Sequence, residues 1–270
     1  MREWITGKNP VYEVLRAGRR KSYRLRVVEG SAGTVHLAGK GHLPSKEQLP
    51  DKEQLPAKGR LGEILELASK KKIPVERVRR EAIDSLGSNH QGAALEVDEY
   101  PYSNLVDILE LAGARQEDPF VLVLDTLQDP QNFGTLLRTA EAAGVHGVIL
   151  PFRRTATVTP AVVHASSGAS EHMLIVQVNL AQAIERLKEE GLWVVGLEGG
   201  PQAQEAAHVR LDGSLALVVG NEAEGMRQLV RESCDALMRL PMRGKVDSLN
   251  AAVAGSIALY LAWQARQWKR

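Results

Sequence analysis

Three short stretches of the chain carry residues whose types and spacing could do chemistry. In "LQDPQNFGTLLRTAEAAG" (127–144), Asn132, Gly134 and Arg138 lie together near the start of a short amphipathic helix. Asn132 is placed to cap that helix. Gly134 would leave the surface beside Arg138 uncovered, so that the guanidinium could reach a ligand with its fork of donors. A salt-bridging arginine beside a capping asparagine fits the same spacing. In "LVVGNEAEGM" (217–226), Gly220, Asn221 and Glu222 directly follow an apolar run. Glycine at a strand end lets backbone amides approach a ligand, and Glu222 could accept hydrogen bonds there. An ordinary strand-to-helix turn with carboxylates near a helix N-terminus also accounts for it. In "LPMRGKVDSLNAAVAGSIALY" (240–260), Leu240-Pro241 stands at a strand end and Ser248 is the expected cap of a last helix. That helix holds Leu249, Ala252, Val253, Ile257, Tyr260 and Leu261 at core spacing, with Gly255 in its interior at a cost of ~1 kcal/mol against alanine. Ala251, Ala254, Gly255 and Ser256 allow close approach of another backbone, either within the domain or across a subunit interface.

The elements that must hold these stretches alternate. "FVLVLD", "VHGVIL", "MLIVQV", "LWVVGLE" and "LALVVG" are near-continuous apolar runs, as a parallel sheet covered on both faces requires. Helices are expected at 132–143, 180–190, about 225–233 and from about Leu249. In the first, Phe133, Leu136, Leu137 and Ala140 form the buried stripe, and Gly144 stops the helix. Residues 119–270 therefore read as an α/β domain, whose ligands would sit beyond the carboxyl ends of its strands.

Residues 1–97 read as a smaller α/β domain. "NPVYEVLRAG" is a helix with Val11, Val14 and Leu15 on one face, and "YRLRVVEG" is a strand directing Leu25, Val27 and Val28 toward a partly buried sheet. Helix "LGEILELASKKK", strand "PVERV" and a polar turn running into "GAALEV" follow. Residues 98–118 form a connecting segment with its own helix, "LVDILELAGA". The tandem "SKEQLP" and "DKEQLP" within about 39–59 have too few apolar residues for a core and read as a mobile surface insertion. The first 97 residues hold 19 Lys and Arg against 12 Asp and Glu; the remainder hold 15 against 21. A basic module on a mildly acidic body suits a polyanion partner, although "RRKSYRLR" and "KKK" also serve as solvated faces.

Several chemistries are unsupported. No G-x-G-x-x-G is present, and "GTVHLAGKG" matches a phosphate loop only in its Gly-Lys. The seven histidines show neither i, i+4 spacing nor a cysteine cluster, so no metal site is expected, and His146, His164 and His172 read as structural. The lone Cys234 reads as a small core residue. With 44% hydrophobic residues, no apolar run near the ~20 needed to span a bilayer, and no signal-like apolar region in "MREWITGKNP", a cytoplasmic globular protein is expected.

Together, "DPQNFGTLLRTAEAAG", "VVGNEAEGM" and "LPMRGKVDSLNAAVA" resemble the three signature motifs of the SpoU (TrmH-type) RNA 2′-O-ribose methyltransferases of the SPOUT superfamily. The likeness spans nearly the whole chain. "GKNPVYEVL" and "NHQGAALEV" resemble the family's RNA-binding domain, itself similar to a ribosomal-protein fold. Within the family the nearest likeness is to bacterial 23S rRNA guanosine-2′-O-methyltransferases. Two departures stand out: Ala223 where the second motif usually has glycine, and the "KEQLP" insertion.

The resemblance implies S-adenosylmethionine held in a deep trefoil knot, a rare exception to unknotted topology, and a homodimer with the active site near its interface. It implies that backbone around Gly196, Gly220, Leu240 and Leu249 holds the cofactor. Arg138 would be the catalytic arginine, positioned by Asn132, with Glu222, Ser248 and Asn250 completing the site. Free guanidinium has a pKa above ~12, so Arg138 either acts as a base with an unusual route for its proton or only orients the hydroxyl and phosphate. Lys8, Asn9, His90 and Gln91 are the expected RNA contacts, with 23S rRNA the expected substrate. A tRNA guanosine methyltransferase and a noncatalytic RNA-binding assembly factor are the alternatives.

Overall fold

The computed structural model describes residues 2–29, 59–87, 89–221 and 224–268. Apart from Gly59, the duplicated insertion lies outside the described residues, as do Glu222 and Ala223. The chain divides into two compact units, Met1–Asp98 and Glu99–Arg270. No helix among the described residues is long and apolar enough to cross a membrane.

The first unit is a four-stranded sheet in the order β1-β4-β2-β3. It consists of β1 (Arg2–Thr6), α1 (Lys8–Ala17), β2 (Ser22–Val28), α2 (Arg60–Lys70), β3 (Val75–Val78), the single turn α3 (Glu81–Asp84) and β4 (Ala93–Asp98). β4 pairs antiparallel with both β1 and β2, while β3 adds to β2 in parallel. Val11, Val14 and Leu15 of α1 and Leu61, Ile64 and Ala68 of α2 are buried with Ile5, Leu25 and Val27. Val28 does not join them, because successive strand residues face opposite sides.

The opposite face of that sheet accounts for much of the basic run. Arg24 Nε donates to Glu96 at 2.7 Å and Arg26 Nε to Glu76 at 2.9 Å, with both guanidinium groups over the Trp4 ring. Arg20 is buried against Glu3. The hydrogen bond from Arg26, more than any other interaction, holds the Glu76 carboxyl below the usual carboxylate range. "RRKSYRLR" is thus largely an internally paired sheet face.

The second unit is built on a seven-stranded sheet in the order β7-β6-β5-β10-β8-β11-β9, and every pairing in it is parallel. The elements run α4 (Leu105–Arg115), β5 (Phe120–Leu124), α5 (Pro130–Ala142), β6 (Gly147–Leu150), α6 (Pro160–Ala165), β7 (Leu174–Gln177), α7 (Leu180–Glu189), β8 (Trp193–Leu197), the short β9 (Gln204–Glu205), β10 (Leu215–Val219), α8 (Gln228–Ser233), β11 (Ala236–Arg239) and α9 (Ala251–Ala265). β5 and β10 are buried at every position, which is why they read as continuous apolar runs. On one face Val121, Val123, Ala216 and Val218 pack with Ile108 of α4 and Leu180, Ile184 and Leu187 of α7. α4, in the stretch between the two expected domains, is therefore part of this core. The other face carries α5 and α9.

Small residues set those helix contacts. A Cβ on Gly134 would lie 2.4 Å from the Ala165 Cβ and 2.8 Å from the Ser166 backbone nitrogen. Gly134 is accordingly a packing residue between α5 and the end of α6, and not an opening beside Arg138. A Cβ on Gly255 would meet Leu136 at 2.7 Å, so the small side of α9 faces inward. Three of its larger residues turn outward: Val253, Ile257 and Tyr260 are 47%, 41% and 42% exposed, contrary to their expected place in the core.

His146 is a structural histidine. Its Nδ1 accepts from the Phe120 N–H at 3.0 Å and its Nε2 lies 2.9 Å from Glu117. Burial, more than any other influence, lowers its pKa from 6.5. The unfolded chain therefore takes up this proton at higher pH than the folded chain, so stability is complete above the ordinary value and falls as the pH drops below it. Urea titrations between pH 7.5 and 5.5 should show this loss. His146→Asn, which keeps an acceptor near Phe120, should flatten it; an unchanged pH dependence would refute the assignment.

Candidate active site

The carboxyl ends of β8, β10 and β11 surround a cavity of about 210 Å³, lined by Leu197 at the end of β8 and Gly199 beyond it, Gly220 and Asn221 after β10, and Leu240, Ser248 and Leu249 after β11. Three of the four expected cofactor residues, Gly220, Leu240 and Leu249, are in this lining. The fourth, Gly196, is not: a Cβ there would meet Met226 at 2.7 Å and both Cys234 and Leu237 at 3.0 Å, so its smallness serves packing behind β8. Its successors at 197–199 provide the wall instead. At Gly199 and Gly225 a Cβ would meet nothing within 4 Å, so main chain there borders open space.

The loop after β10 closes on itself. Asn221 and Gly225 exchange both backbone N–H···O bonds at 3.0 Å, with Gly225 at φ +69°. A Cβ on Gly220 would collide with the Gly225 carbonyl carbon at 2.4 Å, which explains the glycine without a ligand. The Asn221 side chain donates to the Thr126 carbonyl at 3.0 Å. Asp125, fully buried at the end of β5, accepts from the Arg227 backbone N–H at 2.8 Å and from its Nε at 2.7 Å. Spacing along the chain does not join this pair, whose members are 102 residues apart. The available signal was the aspartate ending "FVLVLD", a charged group on an otherwise buried strand. Glu222 lies outside the described residues.

Asn132 and Asn250, 118 residues apart, meet: Asn250 Nδ2 donates to Asn132 Oδ1 at 3.2 Å. Their capping roles differ from expectation. Asp129 caps α5, accepting from the Gln131 and Asn132 N–H groups at 3.2 and 3.1 Å, with Pro130 at the first helical position. Asn132 sits inside the first turn. Asn250, and not Ser248, caps α9, its Oδ1 accepting from Ala252 at 2.9 Å and Val253 at 3.2 Å. Ser248 faces the cavity.

Arg138 is six residues beyond Asn132, about 9 Å along the helix and about 120° around it. It is exposed, and its Nη1 donates to Ser167 Oγ at 3.3 Å. Ser167 adopts a left-handed conformation, φ +53°, just after α6. In the first unit, Asn9 is exposed and the Lys8 backbone N–H donates to Gln91 Oε1 at 3.2 Å. His90 is buried, its Nε2 2.7 Å from Asp84 and its Nδ1 accepting from the Gly92 N–H at 2.9 Å. Its ring shapes the turn that presents Gln91. Among the described residues no group of His, Cys, Asp and Glu could hold a metal.

Residues 119–260 match the SpoU rRNA methylase family model, and residues 44–103 match the model for RNA 2′-O ribose methyltransferase substrate binding. The chain belongs to the SpoU methylase family. YacO of Bacillus subtilis, assigned to the TrmH family of tRNA/rRNA methyltransferases, is 38% identical over 268 residues, covering 98% of this chain and 96% of YacO. The fold is that of the SpoU methyltransferase AviRb from Streptomyces viridochromogenes, solved with AdoMet (TM-score 0.73, 21% identity, 99% of this chain and 92% of AviRb). It is likewise that of an AdoMet-bound rRNA methyltransferase from Sinorhizobium meliloti (TM-score 0.72, 23% identity, 97% and 87%).

In this SpoU methylase the capping assignments are open to direct test. Asn250→Ala should lower the unfolding free energy by about 1 kcal/mol, and Ser248→Ala should change it by less than about 0.5 kcal/mol. Denaturant titration reads both; the reverse order would restore Ser248 as the cap.

Proposed function

We propose that this SpoU methylase moves the methyl group of S-adenosylmethionine to a ribose 2′-hydroxyl in RNA, with a guanosine of 23S rRNA as the target. The observation that carries the reading is that the second and third motif loops line one small crevice, and that Asn250, between the lining residues Leu249 and Ala251, holds Asn132 of the first motif. The crevice suits the cofactor chemically. Leu197, Val219, Leu240 and Leu249 offer apolar surface for a purine, and the backbone at Gly199 and Gly225 is open to approach. When bound, S-adenosylmethionine supplies an electrophilic methyl on a sulfonium.

The chain's part is to bring a weak nucleophile into line and stabilise the charge that develops on it. Arg138, held by Ser167, orients the hydroxyl and the adjoining phosphate as a donor, and the proton lost as the oxygen takes the methyl passes to that phosphate and on to water. Asn132 and Asn250 steady the starts of α5 and α9, Ser248 contributes a hydroxyl at the crevice, and Glu222 completes the set. The same reading takes the segment from β11 to α9 as part of a deep trefoil knot. It gives Lys8, Asn9 and Gln91 to RNA, with His90 supporting their turn, and takes the cell's RNA-bearing cytoplasm as the workplace. A homodimer is supported by the outward apolar residues of α9, which run on from Leu249 at the crevice. The first unit's match to a substrate-binding model favours an attached RNA module, and hence a structured RNA such as rRNA.

Incubation with labelled S-adenosylmethionine should label one guanosine of unmodified 23S rRNA and leave tRNA unlabelled. Label only in tRNA would move the target, and none in either would refute methyl transfer. Arg138→Ala should all but abolish transfer, a loss of about 10²- to 10³-fold, while cofactor affinity measured by calorimetry stays close to wild type; near-normal turnover would overturn its role. Ile257→Asp should convert the dimer to monomers in sedimentation and remove activity with it, whereas an unchanged sedimentation profile would refute the α9 interface.

A further inference from the structure

A second groove, of about 440 Å³, lies at the carboxyl ends of β6 and β7, away from the crevice, and is lined by Phe152, Arg153, Arg154, Asn179, Arg227 and Leu229 among others. Three arginines and no carboxylate line it, in a part of the chain (98–270) where Asp and Glu outnumber Lys and Arg by 21 to 15. Arg227 is committed to Asp125. Arg153 and Arg154 are exposed, and neither has a carboxylate partner among the described residues. Phe152, beside them, is 68% exposed. Two unneutralised guanidinium groups next to an aromatic ring held in water match a polyanion that also carries flat apolar faces.

The loop that presents these side chains is fixed at both ends. It leaves β6 at Leu150 and is tied to the chain just ahead of α5, where the Leu127 carbonyl accepts from the Ala156 N–H at 2.7 Å and from Thr155 Oγ1 at 3.1 Å. Arg154 takes a left-handed conformation, φ +58°, so the turn is specific. One side of the groove therefore leads to the start of α5, the helix that bears Asn132 and Arg138. The other side, at Arg227, adjoins the Gly225 turn that borders the crevice.

We infer that this groove holds an unpaired stretch of the substrate RNA flanking the methylated nucleotide, its phosphates on Arg153 and Arg154 and a base stacked on Phe152. The inference rests on the RNA-methylation reading for its substrate, but the groove's affinity for RNA can be read without turnover. An unpaired strand fits better than a duplex, whose bases cannot reach an aromatic side chain. A protein partner would need an acidic surface to match the arginines, while RNA brings a phosphate with every nucleotide.

The test uses the full chain and a short fluorescein-labelled single-stranded RNA in anisotropy titrations across a range of salt, beside methyl-transfer assays on rRNA. Arg153→Ala with Arg154→Ala should weaken RNA binding about tenfold and reduce the slope of log affinity against log salt by about 1.4, as for two lost phosphate contacts on a single strand. Phe152→Ala should weaken binding by about fivefold or more and Phe152→Trp should restore it. Affinity for S-adenosylmethionine should not move in any of them. RNA affinities within about twofold of wild type and an unchanged salt slope in all the variants would overturn the groove as an RNA site. Absence of methyl transfer by the wild-type protein, with RNA binding still dependent on Arg153 and Arg154, would instead refute the activity and leave the groove standing.

Discussion

The geometry of the methylase unit depends on one buried carboxylate. Asp125 sits at the end of β5, between the strands that lead to either edge of the sheet, and takes both the backbone N–H and the Nε of Arg227. A carboxylate withdrawn from water costs several kcal/mol unless its oxygens are occupied by donors. Here both oxygens have them. The bond from Arg227 N–H fixes main chain just after the Gly225 turn, and Asn221 Nδ2 on Thr126 fixes it just before. The loop after β10 is thereby pinned on both sides of the turn that borders the crevice, and Arg227 also becomes a wall of the arginine groove. One ion pair sets two surfaces.

Close packing does the rest. Gly134 and Gly255 bring α6 and α9 against α5, and Gly147 receives Ile108, whose Cδ1 would lie 2.3 Å from a Cβ there. Interiors are packed tightly enough that added methyl groups must displace neighbours, so these glycines determine where the ends of the helices stand. Asn250 meets Asn132, and Thr139 Oγ1 meets Ser256 Oγ at 2.9 Å, because α5 and α9 lie this close. Turning its small side inward leaves α9 with large apolar residues outside, a surface that a second copy of the chain would remove from water.

The apolar runs made the parallel sheet legible, since strands buried on both faces have no polar alternation to hide them. The first two motif loops were legible for the same reason, since they come after such runs; the third follows β11, only one of whose residues is fully buried. What escaped reading depended on partners remote in sequence. Gly134 meets Ala165 and Ser166, Gly196 meets Met226 and Cys234, and Asp125 meets Arg227 across 102 residues. The caps are ambiguous at closer range, because Asp129 and Asn132, or Ser248 and Asn250, are all competent caps; Pro130 is the local clue favouring Asp129. α9 is apolar nearly all round, so its spacing could not say which side faces in. In the first unit, the charge surplus was real, but the carboxylates that pair Arg24 and Arg26 lie on other strands.

That pairing pattern separates the arginines by role. A guanidinium already neutralised by a carboxylate has little attraction left for a phosphate, since the anion would have to displace a charge-assisted hydrogen bond of similar strength. Arg20, Arg24, Arg26 and Arg227 are committed in this way, and each holds elements of the fold together. Among the described residues Arg138 is held only by a serine hydroxyl, and Arg153 and Arg154 have no carboxylate partner. A hydroxyl can restrict the direction of Arg138 without cancelling its charge, which leaves it able to meet an anionic substrate. These three arginines sit on α5 and on the loop tied to the approach to α5. A strand of RNA approaching Arg138 from that side would meet these charges without having to displace a carboxylate.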